Sequence, residues 1–204
     1  MTNYADGRVS STVDGKVATT QFRYDANGDT SQLIDSLGNQ TSWTYNAMGL
    51  PVQENKSGSS RLYEYDRAGN MTKLTDRTGK VTLFAYDALG QVNHESWFNS
   101  NGSPLKEFYY DYATAGKLAY TTELDGVNAS GNYPSPANFT NQVTLDYDGL
   151  GRLRSDTQQW NDVTSKLAFV NYEYTAGQFA LAAADVNYAD STSLHSYGYG
   201  DSNG

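Results

Sequence analysis

Two histidines, His94 and His195, are the first residues to weigh as chemical groups, and the sequence has no cysteine to join them. A metal site draws on several clustered ligands, and no Cys pair or His-x3-His is present. His94 follows a turn inside a strand-like stretch, and His195 sits among Ser and Thr, so both read as ordinary surface or half-buried side chains. Composition permits a Ser-His-Asp set, but the G-x-S-x-G elbow that presents a nucleophilic serine is missing. The many Asp-containing loops raise calcium as a ligand. Neither the Gly-Gly-x-Gly-x-Asp nonapeptide nor the Asp-x-Asp-x-Asp-Gly loop occurs, however.

The acidic residues, 23 against 14 basic ones, fall mostly in turn slots. Glu64 and Glu173 stand between paired aromatics, on the strand face expected to meet solvent, and nothing singles out two carboxylates as an acid/base pair. Trp43, Trp97, Trp160 and a ladder of tyrosines could stack on a sugar. Identical residues at one slot of successive hairpins would instead stack on one another across strands. The formal net charge of −9 argues against a nucleic-acid or anionic-membrane partner, which would need a Lys/Arg-rich face. Catalytic, cofactor-binding and metal residues are therefore all read as none.

The elements that must position these groups follow from a repeated unit. In Arg61–Lys80, Tyr63 and Tyr65 lie two apart and share one strand face. Asp66 follows at once, with Gly69 three residues on; Asp opens a type I turn and Gly tolerates the positive φ that closes it. A second strand, Met71–Thr75, leads to the same turn chemistry at Asp76–Gly79. An aromatic-x-Tyr pair recurs with its second Tyr at 24, 45, 65, 86, 112, 174 and 199, and Leu145-x-Tyr147 is its aliphatic version. Asx with Gly three residues on recurs at 25/28, 46/49, 66/69, 87/90, 148/151 and 201/204, and at the far end of units at 35/38, 55/58, 76/79 and 99/102. A fixed period of this kind marks a repeat architecture.

The runs Tyr24-Asp25-x-x-Gly28, Tyr65-Asp66-x-x-Gly69, Tyr86-Asp87-x-x-Gly90 and Tyr147-Asp148-x-x-Gly151-Arg152-Leu153 resemble the YD repeat. That repeat belongs to the rearrangement-hotspot (RHS) proteins, toxin-complex C components, wall-associated proteins and teneurins. The resemblance covers nearly the whole chain. The family's Gly-Arg-Leu ending is complete only at Gly151-Arg152-Leu153; Asp29, Leu50, Asn70 and Gln91 replace the Arg elsewhere. The resemblance implies an all-β fold: tandem hairpins forming a curved antiparallel sheet, a segment of a hollow β-shell. It also implies a non-catalytic function, a wall that encapsulates a C-terminal polymorphic toxin. The implied partners are flanking repeats and that toxin cargo, in a bacterial protein that is secreted or at the cell surface. The alternative is a cell-surface adhesion or carbohydrate-binding module with glycans as partner. The assigned residues are structural: Tyr24, Asp25, Gly28, Tyr45, Gly49, Tyr65, Asp66, Gly69, Tyr86, Asp87, Gly90, Tyr147, Asp148 and Gly151.

One repeat array is expected over residues 1–204. Clean repeats run over about 17–102, a loop-rich insertion over about 113–141, and irregular repeats over 142–204. The Asp125-Gly126, Asn128–Asn132 and Pro134–Pro136 stretches carry the insertion's loop chemistry. Phe179–Ala184 reads equally as a helical turn or a small-residue strand. No apolar run reaches the 18 residues a spanning helix needs, so no membrane insertion is expected. Met1–Asp6 has neither the basic nor the apolar region of a signal peptide. Both ends fall mid-repeat, which suggests a piece of a longer protein.

Overall fold

Strands rich in Thr, Tyr, Val and Leu, separated by Asx/Gly turns, make this chain antiparallel throughout. The computed structural model describes residues 1–13, 18–113, 116–125, 141–160, 166–174, 181–189 and 194–199. They form β1 (Thr2–Asn3), β2 (Val9–Val13), β3 (Thr19–Tyr24), β4 (Thr30–Ile34), β5 (Gln40–Tyr45), β6 (Pro51–Lys56), β7 (Ser59–Tyr65), β8 (Met71–Thr75) and β9 (Val81–Tyr86). After these come β10 (Val92–Phe98), β11 (Pro104–Ala113), β12 (Lys117–Asp125), β13 (Asn141–Tyr147), β14 (Leu153–Trp160), β15 (Lys166–Tyr174), β16 (Leu181–Ala189) and β17 (Leu194–Tyr199). No α-helix occurs among the described residues.

The chain divides into two compact units, Met1–Leu83 with Phe98–Gly102 and Phe84–Trp97 with Ser103–Gly204. In the first unit each strand from β1 to β8 pairs antiparallel with the next, and β8 pairs with the start of β9. In the second, β11 to β17 pair antiparallel in chain order. Strand neighbours in sequence are thus neighbours in space, so each hairpin adds to the edge left by the one before.

A register shift recurs just before the second tyrosine of the unit, between Arg23 and Tyr24, Thr44 and Tyr45, Glu64 and Tyr65, Asp111 and Tyr112, Asp146 and Tyr147, and Glu173 and Tyr174. Each is a β-bulge, which adds twist and re-aims the side chain beside it. The repeat therefore carries a geometric device that the Tyr spacing alone does not reveal.

Two expectations need revision. The 55/58 pair is not an Asx turn. Lys56 pairs with Ser59, and Ser57 and Gly58 have φ of 51° and 81°. Two central residues with positive φ make the tight hairpin that follows strand twist, and its two-residue length leaves Asn55 in the ladder. The loop-rich insertion is shorter than 113–141, because 117–125 is strand β12 and pairs with β11 from Lys106 to Ala113. Alternation at Tyr120, Thr122 and Leu124 suits a strand and outweighs the long gap to the next Tyr-Asp pair. Of the two readings open for Phe179–Ala184, the small-residue strand holds from Leu181, where β16 begins. The loop expected over 126–140 and the turn at 201/204 lie outside the described residues.

Most strand residues are half-buried, and Leu124 is the one fully buried apolar side chain among the described residues. The ladder and its edges, rather than an enclosed core, must supply much of the order. Gly69 has φ of +91°, a region a β-branched residue enters only with strain. Gly69→Val should lower the denaturant midpoint by an amount equivalent to about 1–3 kcal/mol; an unchanged midpoint would remove the turn from the account of stability.

Candidate functional site

At each Asx-Gly turn five residues close on themselves. In Asp66–Asn70 the Asp66 carboxylate oxygen Oδ1 accepts the N–H of Ala68 at 2.8 Å and of Asn70 at 2.9 Å. The Asp66 N–H reaches the Asn70 carbonyl at 2.9 Å, and the Gly69 N–H reaches the Asp66 carbonyl at 3.2 Å. The same set recurs at Asp25, Asp35, Asn46, Asp76, Asp87 and Asp148. One Asx oxygen thereby satisfies two donors that a tight turn would leave open. Asn46 fits because only that oxygen is used. The second carboxylate oxygen takes a side chain from the residue after the glycine: Asn39, Asn70 or Arg152.

The second tyrosine of the aromatic-x-Tyr pair ties its hairpin to the predecessor. Tyr24 donates its hydroxyl to the Val9 carbonyl at 3.0 Å, Tyr45 to Thr30 at 2.7 Å and Tyr65 to Pro51 at 2.8 Å. In the second unit Tyr112 reaches Val92 at 2.6 Å, Tyr147 reaches Leu118 at 2.8 Å and Tyr174 reaches Leu153 at 2.7 Å. Every acceptor stands two residues after a turn glycine, at the start of the preceding strand. The turn closes a hairpin on one side of the tyrosine's strand, and the hydroxyl closes the junction on the other side, where no turn connects the strands at that edge.

The slot between glycine and acceptor, Arg in the full motif, has a visible role. Arg152 lies 4.6 Å from the Tyr174 ring centre, Arg8 lies 4.7 Å from Tyr24, and Lys117 lies 5.0 Å from Tyr147. These are cation–π contacts on the next unit's tyrosine. Arg152 also holds its own Asp148 at 2.6 Å. At Gln91 and Leu50, which replace the Arg, the side chain still leans on the next turn, whereas Asn70 turns back to its own Asp66. Gln91 donates to the Gly116 carbonyl at 2.9 Å, and a side chain at Gly69 would meet Leu50 at 3.5 Å.

The first aromatic of a pair also finds a carboxylate on the preceding strand. Tyr63 donates to Glu54 at 3.2 Å, Tyr110 to Glu95 at 3.2 Å and Tyr172 to Asp156 at 2.6 Å. Burial, then the Glu95 charge, push the Tyr110 hydroxyl up to about 12. The hydrogen bond to Asp156 does the same for Tyr172, also to about 12. Glu64, between Tyr63 and Tyr65, is exposed and pairs with Lys73 at 2.8 Å.

His94 belongs to a cluster that sequence reading did not assemble. Its Nε2 lies 3.3 Å from Ser96 Oγ and 3.3 Å from Glu107 Oε1, and its ring stacks on Tyr109 at 4.4 Å. Glu107 is 1 % exposed and also accepts the hydroxyls of Ser96 and Tyr109. A nucleophilic relay needs serine and carboxylate on opposite ring nitrogens. Here both meet Nε2, so the group is a hydrogen-bonded knot around a buried carboxylate. The i, i+2 pairs His94/Ser96 and Glu107/Tyr109 are the signal that places it on one face. No three His, Asp or Glu side chains converge as a metal set among the described residues.

Comparison with known proteins returns the same repeat. The RHS Repeat family model matches residues 24–59 and 65–96. A search of curated proteins finds no match. Among solved structures, the crystal structure of TcdB2-TccC3-Cdc42 aligns at TM-score 0.72 and 16 % identity over 96 % of this chain and 11 % of that one. TcdB2-TccC3 without its hypervariable C-terminal region aligns at 0.72 and 15 % identity, over 95 % and 11 %. The Photorhabdus luminescens Tc holotoxin pore with a substituted TccC3 aligns at 0.68 and 16 % identity, over 91 % and 10 %. The fold is thus that of a stretch about a tenth as long as those chains.

Two outcomes test this edge. Tyr65→Phe, which deletes only the hydroxyl held by Pro51, should cost about 1 kcal/mol, read as a lower denaturant midpoint. The pH profile tests the turns. The Asn70 amide holds the Asp66 carboxyl below its ordinary value, the Thr78 hydroxyl does so for Asp76, and the Arg152 N–H for Asp148. Groups lowered in the fold add stability above their unfolded value, about 3.9, and lose it as pH falls through the folded values. The midpoint should therefore drop below about pH 4, and less steeply in Asp66→Asn, which keeps the turn oxygen and removes the titration.

Proposed function

We propose, from the match of the RHS Repeat model to residues 24–59 and 65–96, that this chain is a wall segment of a longer protein that encloses a polypeptide cargo, a toxin at the C-terminal end of the same chain. The observation that carries the reading is the stapled edge. Each repeat spends its Asx on closing its own turn and its Tyr on joining the hairpin before it, which is what a wall extended unit by unit requires. The fold likeness to TcdB2-TccC3 structures over nearly all of this chain, and about a tenth of theirs, agrees with a segment. The segment performs no catalysis itself, and its setting is extracellular.

A sugar-binding platform draws less support. Such a site needs an exposed aromatic platform, whereas the repeat tyrosines are half-buried with their hydroxyls bound to backbone. Trp97 is 39 % exposed, but its indole N–H is held by Glu95.

The test uses the full natural protein. Its C-terminal segment should resist added protease while the repeats are intact and become cleavable when Tyr45, Tyr65 and Tyr112 are changed to Phe together. A segment cut equally fast in both proteins would end the container reading. The 204-residue chain should also turn over no glycan, peptide, ester or nucleic-acid substrate. Turnover abolished by His94→Ala or Glu107→Gln would make the His94 cluster an active site instead.

A further inference from the structure

The three tyrosine–carboxylate pairs differ in one respect. At Glu54 the carboxylate that accepts Tyr63 also takes guanidinium groups: Arg77 hydrogen-bonds Oε1, and Arg61 stands 3.7 Å from Oε2. At Glu95 the corresponding donors are neutral, with Tyr110 on Oε2 and the Trp97 indole on Oε1. Among the described residues no Lys or Arg pairs with Glu95. A carboxylate offers about four acceptor positions, so two neutral donors leave it both capacity and charge. Beside it lies a cavity of about 320 Å³ lined by Phe84, Val92, Glu95, Tyr110, Tyr112 and Leu118. That volume falls in the range of small-ligand sites, about 300–1,000 Å³.

We propose that this cavity receives the side chain of an arginine carried by a partner polypeptide. Three aromatic rings, Phe84, Tyr110 and Tyr112, lining one cavity with a carboxylate suit a planar cation, which can stack on rings while its N–H groups fork onto the oxygens. The chain supplies its own precedent at Glu54, where two arginines meet the same Tyr–carboxylate pair. The net charge of −9 favours a basic partner over an acidic one. The proposal rests on the container reading only for the source of the arginine, the enclosed cargo; the pocket's preference is a property of this chain.

The probe is Nα-acetyl-arginine amide, titrated into the 204-residue chain with the Trp97 indole N–H resonance as readout, because that N–H bonds Glu95 directly. The indole signal should shift saturably with the arginine probe and stay put with the isosteric neutral citrulline amide. Glu95→Gln should weaken binding about tenfold, the loss of a charge-assisted contact. Arg77→Ala, which strips the guanidinium from Oε1 of Glu54, should create a second arginine-responsive site at the Tyr63 pair. Equal responses to arginine and citrulline, or no shift at Trp97, overturn the proposal. Neither outcome touches the protease test of the container reading, which can fail while this pocket still selects arginine.

Discussion

A phenol hydroxyl bound to a main-chain carbonyl is the contact on which this architecture depends. An antiparallel hairpin closes one junction with its turn and leaves the next junction at that edge to the ladder alone. The tyrosine supplies the missing closure, from the same position in each unit, to a carbonyl two residues beyond a glycine. Burial lifts the Tyr45, Tyr65 and Tyr112 hydroxyls above their ordinary range, so each remains a neutral donor across physiological pH. The bulge before the tyrosine and the positive-φ glycine of the preceding turn bring donor and acceptor together. Sequence motif and strand register are thus two descriptions of one constraint.

That constraint explains why the motif tolerates variation at one place and not at others. Asp or Asn must supply an oxygen to two backbone N–H groups, and glycine must accept positive φ. The following slot needs only a side chain that can lie against the next turn. Arg152 and Arg8 do this with charge over a ring, Gln91 with an amide, and Leu50 with a methyl group. At Gln91 and Leu50 the missing arginine is replaced by the same contact made with different chemistry.

The fold was legible because its determinants are local. Period-2 alternation and Asx-x-x-Gly spacing act within about ten residues, and they name the strands and turns directly. Three things escaped. The Ser57–Gly58 hairpin looked like another Asx turn because Asn55 happens to stand three residues before Gly58. The reach of β12 was hidden because no Tyr-Asp pair marks it. The knot of His94, Ser96, Glu107 and Tyr109 joins two strands whose register the sequence does not state. Side chains on one strand can be assigned to a face by counting, but partners across strands depend on a register that bulges repeatedly shift.

The serial order of the ladder carries a mechanical consequence. Because described strands within each unit pair with their neighbours in sequence, a pull on one terminus meets the hydrogen bonds of the last strand only, then those of the strand before it. Such a sheet resists load by unzipping, a few bonds at a time, rather than by shearing a whole strand at once. Each tyrosine hydroxyl and each Asx turn then acts as a catch that releases before the next hairpin bears any force. A translocating motor could draw such a chain out hairpin by hairpin, while a force spread evenly over its surface would meet all the catches together.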